Sequence, residues 1–332
     1  MIETSSATDA EDTLHRSRHG GERTAAVRPS LDRSVRPAAE QRPGKRRSWL
    51  IGLGFLLPFF VPFLLFYVGP VVYAAIQSTQ VTERVGGIFG TTVTKFGGLT
   101  QYAAVLSSPD FWSSVGRVAL LGVIQVPLMG ALALLLALLL DSPRVRLGRF
   151  FRLAYFLPFA VPGVVAAIMW GSLLDPSTSP FYQAGLHVNF LGPGLVLPSI
   201  GNVAVWTYAG SNAIILLAAL KSVPPQLFEA ARLDGAGDLR IAWSIKIPLV
   251  RPAIVFTAIL NMIGVLQLIT EPMIFRTITS EVTSGYTPNM LAYNSASADQ
   301  YQYAAALSVT LAVITFAASF GFLKILQRRA DR

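Results

Sequence analysis

Between Glu229 and Pro248 the chain reads EAARLDGAGDLRIAWSIKIP, a polar, charged stretch set between two long apolar runs. Its surroundings give it meaning. The chain has 332 residues, 52% hydrophobic and 14% charged, with a mean hydropathy of +0.52. That balance lies outside the range of soluble globular domains and inside that of integral membrane proteins. The stretch is therefore a polar connection between membrane segments.

The same counts exclude several classes. The chain has no cysteine, and its histidines, His15, His19 and His187, are scattered singly, so no zinc or haem site is expected. The net charge of +9 does not point to nucleic acid, because the basic residues gather beside apolar spans, where they report topology.

Outward from the stretch, six apolar segments are each long enough to cross roughly 30 Å of hydrocarbon as helices. They lie near 49–76, 112–140, 151–174, 198–220, 252–275 and 302–326. The basic link DSPRVRLGRFFR, 141–152, is so short that spans two and three are expected to form a tight antiparallel hairpin. Ahead of the first span, 1–47 carries Ser, Thr, Arg, Glu and Asp without an apolar run, the composition of a disordered tail. It also lacks the pattern of a signal peptide.

Lys and Arg fix the orientation. Arg144, Arg146, Arg149 and Arg152 fill the second link, and Lys221, Arg232, Arg240, Lys246 and Arg251 fill the segment 221–251. Lys324, Arg328, Arg329 and Arg332 close the chain, with 329–332 as its terminal stretch. The alternate loops hold chiefly Arg84, Lys95 and Arg276. By the positive-inside rule both termini and the opening stretch face the cytoplasm. Residues 77–111 and 175–194 then read as Gly-, Thr- and Pro-rich extracytoplasmic loops. The fold expected is an all-α membrane protein, a bundle of six transmembrane helices.

Within 221–251, Pro224 and Pro225 suit the first turn of a helix, and Gly235 and Gly237 suit its end. Asp238 is placed to cap a second short helix running to Pro248. On the first helix, Leu227, Phe228, Ala230, Ala231 and Leu233 make an apolar surface, flat at the two alanines, while Glu229 and Arg232 are spaced to pair. On these grounds alone, a helix lying on the membrane surface or packed under the bundle fits as well as one that docks a partner.

The pattern Glu229-Ala230-Ala231, three residues, Gly235, nine residues, Ile245 and Pro248 resembles the EAA loop of permease subunits of binding-protein-dependent ABC importers. Ile247 stands where that loop usually has Leu, and Ala242 where it has an aromatic, with Trp243 adjacent. LKSVPPQLFEAA and TPNMLAYNSASADQYQYAAALSVTLAVI are similar to the flanking parts of the sugar-uptake branch, although its Gly-Gly-Pro appears only as SGYTP. The likeness covers about 50–328. It implies the type I importer permease fold, in the multi-pass setting of a bacterial cytoplasmic membrane. The partners it implies are two ATP-binding subunits, a second and different permease, an extracytoplasmic solute-binding protein and membrane lipid. Glu229, Ala230, Ala231, Arg232, Asp234 and Gly235 would carry the coupling to the ATPase.

The chain itself carries no phosphate loop G-x-x-x-x-G-K-[ST], no G-x-S-x-G and no H-E-x-x-H, so no enzyme activity and no bound cofactor are expected. ATP would be used by the partner subunit. Polar groups in lipid are costly and normally face a bundle interior. Spans four and five supply Trp206, Thr207, Tyr208, Ser211, Asn212, Asn261 and Gln267, a set of aromatic faces, amides and hydroxyls suited to a polyhydroxyl ligand. Tyr73, Gln125 and Glu271 are secondary candidates. These residues could instead bond neighbouring helices. An ion-coupled secondary transporter or channel is the alternative function, although the spans offer few acids: Asp141 at the end of span two and Glu271 near the end of span five.

Overall fold

The computed structural model describes residues 45–85, 91–142 and 144–330, with side chains omitted at 45–52, 84 and 325–330. Of the expected tail, 1–44 lies outside the described residues, and Lys45 opens the first helix. The chain divides between Phe59 and Phe60 into two compact units. The first contains the start of α1 (Lys45–Phe63), and every later element belongs to the second.

α1 passes through a π-helical turn, Leu64–Val68, into α2 (Gly69–Gln77). The hairpin strands β1 (Gln80–Val85) and β2 (Thr91–Phe96) pair antiparallel in the register Gln80 to Phe96. There follow α3 (Thr100–Ser107), α4 (Pro109–Asp141), α5 (Gly148–Ala160), α6 (Gly163–Leu174), α7 (Pro180–Gln183) and α8 (Val196–Lys221). The charged loop holds α9 (Gln226–Leu233), α10 (Asp238–Ile241), a π-helical turn (Ala242–Lys246) and α11 (Ile247–Leu249). α12 (Arg251–Leu266), α13 (Thr270–Phe275), α14 (Pro288–Ser297) and α15 (Tyr301–Ala330) complete the chain. Among the described residues five helices are long and apolar enough to cross a membrane, and six when the bent pair α5–α6 is taken as one span.

α8 is the centre of the bundle. It packs on α4, α5, α6, α12 and α13, while α15 closes the far side against α2, α3, α12 and α14. Small residues on α8 permit this: at Gly210 an added Cβ would lie 1.7 Å from the Tyr155 carbonyl oxygen, so α5 and α8 meet backbone to backbone. Around α8 the core gathers Val118, Leu121, Ala166, Ile200, Val203, Val265 and Phe275. A second cluster nearer the charged loop holds Ala133, Ala137, Ala213, Leu216 and Leu220.

Three findings bear on the expected spans and loops. Span three is bent: α5 and α6 meet at 95°. Proline lacks the helical N–H donor and forces its predecessor out of the helical region, and Val161, before Pro162, is extended. Spans two and three do not pair along their lengths, because α4 and α5 each pack chiefly on α8. Within the Gly- and Thr-rich loop 77–111, β1 pairs with β2 and α3 follows, so the loop carries a small sheet.

Candidate functional site

A cavity of about 500 Å³ opens beside α8. The α8 residues on its wall are Ala204, Tyr208, Ser211, Asn212 and Ile215, spaced as one face of a helix. Across it, α12 and the irregular residues after it present Asn261, Gly264 and Gln267. α4 adds Gln125 and Met129, α5 adds Phe159, and α13 adds Thr270 and Glu271.

Hydrogen bonds fix the polar wall. The Asn212 Nδ2 donates to the Tyr208 carbonyl at 2.8 Å and to Asn261 Oδ1 at 3.3 Å. Asn261 Nδ2 donates back to Asn212 Oδ1 at 3.2 Å. The Tyr208 ring stands edge-on to Phe159, with centroids 6.0 Å apart. Gln125 Oε1 is buried without a hydrogen-bond partner. Glu271 is buried and, among the described residues, forms no ion pair.

The cavity therefore brings together Tyr208, Ser211, Asn212, Asn261 and Gln267, with Gln125 and Glu271 beside them. Trp206 and Thr207 stand outside it: Trp206 packs edge-on to Trp170 at 6.1 Å, and Thr207 is buried with its Oγ1 unbonded. Tyr73 lies exposed on α2. Phe159 and Met129 were not legible in the sequence as wall residues, since an apolar residue in a span carries no mark of which face it occupies.

The second feature is the charged loop. α9 ends in a left-handed turn at Gly235, φ +81°. The Gly235 N–H donates to the Arg232 carbonyl at 3.0 Å, and the Ala236 N–H to the Ala231 carbonyl at 2.9 Å, the paired bonds of a Schellman cap. Among the described residues no helix packs closely along α9. Glu229, Ala230, Arg232, Asp234 and Gly235 are exposed and Ala231 is half-buried. Leu233, Leu239 and Trp243 are exposed apolar side chains on the same loop.

Two details depart from expectation. Arg232 reaches Asp238 at 3.7 Å, not Glu229. Asp238 does not cap α10, whose N-cap is Gly237; its carboxylate bonds Arg144 instead. Arg144's hydrogen bond and charge hold Asp238 below the usual carboxylate range. Behind the loop, Asp141 at the end of α4 binds both Lys221, at 2.7 Å, and Lys246, at 2.5 Å. Among the described residues no three His, Cys, Asp or Glu side chains group to hold a metal ion.

Residues 129–332 match the family profile of the binding-protein-dependent transport system inner membrane component. The chain belongs to this family. The permease is 30% identical to the trehalose/maltose transport system permease protein MalF of Thermococcus litoralis, over 71% of its own length and 81% of that protein's. It is 27% identical to the lactose transport system permease protein LacF of Rhizobium radiobacter, over 71% and 82% of the two chains. In three dimensions it is similar to a chain of a bacterial alginate ABC transporter, solved in complex with an alginate pentasaccharide-bound periplasmic protein. The TM-score is 0.71 at 22% identity, covering 86% of this chain and 96% of that one. At that identity the likeness speaks to the fold, and it joins the helical membrane architecture to that of an ABC importer permease.

Proposed function

We propose that this permease moves a saccharide across the bacterial cytoplasmic membrane, both termini on the cytoplasmic side, as one subunit of an ATP-driven importer. An extracytoplasmic solute-binding protein delivers the sugar, a second and different permease completes the pathway, and two ATP-binding subunits hydrolyse ATP. This chain performs no catalysis and binds no cofactor.

The observation that carries the reading is the cavity wall. Tyr208, Ser211, Asn212 and Asn261 come from the two helices that flank the charged loop and Gln267 from the residue after the second, and they meet around one space whose lining, among the described residues, has no Lys or Arg. Carboxamides, a hydroxyl and a phenol exchange hydrogen bonds with sugar hydroxyls, and Tyr208 and Phe159 offer ring faces for stacking. The named relatives point the same way, since LacF and MalF are permeases of lactose and trehalose/maltose systems.

Coupling is assigned to α9. Its exposure and its flat Ala230–Ala231 surface suit a helix seated in a groove of another protein. Gly235 turns the chain back toward the membrane, and Glu229, Arg232 and Asp234 supply polar contacts. Rigid-body closure of the ATP-binding subunits would then swing the spans on either side of the loop.

The test is co-purification of the chain with the products of its neighbouring transport genes, followed by reconstitution. ATP hydrolysis stimulated by binding protein together with lactose, maltose, trehalose or an arabinooligosaccharide, and uptake that requires ATP, are expected. The buried Glu271 on the cavity wall favours the rival reading of ion-coupled transport. Uptake driven by an ion gradient without ATP, and abolished in Glu271→Gln, would establish that rival.

A further inference from the structure

The charged loop poses a mechanical question, because among the described residues no helix packs closely along α9 and yet motion imposed on it has to reach the bundle. Side chains make the connections, of two kinds. Arg232, Asp238 and Arg144 form one chain of charges, and all three side chains are 47% exposed or more. Such pairs are screened by salt and yield easily.

The other connection is buried at Asp141 and Lys246, while the Lys221 side chain is 59% exposed. Asp141, on the last residue of α4, has a side chain 7% exposed, and each of its oxygens binds a different lysine. Lys221 ends α8, where the loop begins. Lys246 ends the π-helical turn, and its side chain is 13% exposed. The Lys246 ammonium also lies 5.1 Å from the centre of the Phe228 ring, and Phe228 is the residue before Glu229 on α9. One carboxylate thus joins the ends of α4 and α8 to the second half of the loop, and through Lys246 to the face of α9. Removing either Asp141 or Lys246 strands an uncompensated buried charge, which costs more than the loss of an exposed pair.

From this we infer that Asp141 is a positioning residue: through Lys246 and Phe228 it makes α9 move as one body with the end of α4. The inference rests on the coupling role proposed for α9 and adds the route by which movement leaves it. Loss of the tie would leave α9 attached by its backbone and by exposed charges, free to tilt without carrying α4 along.

The chain has no cysteine, so introduced cysteines can be spin-labelled singly. In the complex of this chain with its second permease and ATP-binding subunits, one label pair is Leu233→Cys with Leu139→Cys, on α9 and the end of α4. A second pair is Leu233→Cys with Phe316→Cys on α15. Distances are read by pulsed electron resonance before and after trapping with MgATP and vanadate. With the native tie, the first pair should give one narrow distance unchanged by trapping, while the second pair shifts. Asp141→Asn and Lys246→Met should each lose the narrow distance of the first pair and much of the shift of the second, and Lys246→Arg should restore both. Lys246→Met keeps the Asp141–Lys221 pair, so it reports even if Asp141→Asn is poorly assembled. A first pair that stays narrow in Lys246→Met overturns the assignment. If instead the second pair fails to move with the native tie, the coupling role of α9 falls, whatever the state of Asp141.

Discussion

Asn212 on α8 and Asn261 on α12 bind each other twice, carboxamide to carboxamide, at 3.3 and 3.2 Å. Each satisfies the other while leaving hydrogen-bonding capacity toward the cavity. Interhelical hydrogen bonds of this kind within membranes contribute about 0.6 kcal/mol on average. Asn212→Leu or Asn261→Leu should each destabilise the assembled permease by about 1 kcal/mol, because the remaining carboxamide is stranded. The double Leu variant should regain most of that loss and still fail in saccharide uptake. Thermal unfolding in detergent and uptake by proteoliposomes measure the two effects, and a double variant with full uptake would remove the pair from the pathway.

Two unbonded oxygens separate packing from function. Thr207 Oγ1 and Gln125 Oε1 are both buried without partners, but only Gln125 faces the cavity. Replacing each with an apolar residue of similar shape removes an unsatisfied group, worth about 1 kcal/mol. Thr207→Val should therefore raise stability and leave uptake intact. Gln125→Leu should raise stability and depress uptake, and equal uptake in the two variants would contradict the assignment of the wall.

Gly235 occupies a left-handed conformation, φ +81°, with open space where a Cβ would stand. The cost of a side chain there is conformational, not steric, about 1–2 kcal/mol for most residues and less for Asn. Gly235→Val should weaken the coupling of ATP hydrolysis to uptake while membrane insertion is unchanged, with Gly235→Asn intermediate. Coupling is read as sugar moved per ATP hydrolysed in the reconstituted complex.

Asp238 offers a pH test with a defined sign. Arg144 lowers its carboxyl below the ordinary 3.8, so its tie to the link before α5 is present above that value and lost only as the pH falls through the lowered one. Between pH 6 and 8 the tie should contribute no pH dependence to ATPase coupling. Asp238→Asn should reproduce at neutral pH the loosened loop that the native chain meets only in strong acid, seen as faster proteolysis at Arg232 or Arg240.

The long apolar runs made the spans legible, and the punctuation of Pro224, Pro225 and Gly235 marked α9, because both signals are local. The place of the break between α5 and α6 was not legible: Pro158 and Pro162 both fit a kink, and only the extended conformation of Val161 decides where the chain turns. Strands β1 and β2 escaped notice because Gly and Thr punctuation reads as a loop until two segments find each other. Trp206 and Thr207 were grouped with Tyr208 by composition, whereas successive residues on a helix lie about 100° apart. Ser211, Asn212 and Ile215 share the Tyr208 face, which leaves Trp206 to the packed side, while Thr207, at the edge of that face, is buried. The Asp141 cluster depends on residues far apart in the chain, and no local pattern announces it.

The backbone contact between Gly210 and Tyr155 leaves no side chain to compress. Any tilt of α5 that preserves it carries the two ends of α5 in opposite directions, as on a fulcrum. From Tyr155 the arm toward Phe159 is four residues, about 6 Å, and the arm toward Gly148 is seven, about 10 Å. The longer arm ends beside the link to α4 and the shorter at the cavity wall. A displacement at the link is thus delivered to the Phe159 ring reversed in direction and reduced in size.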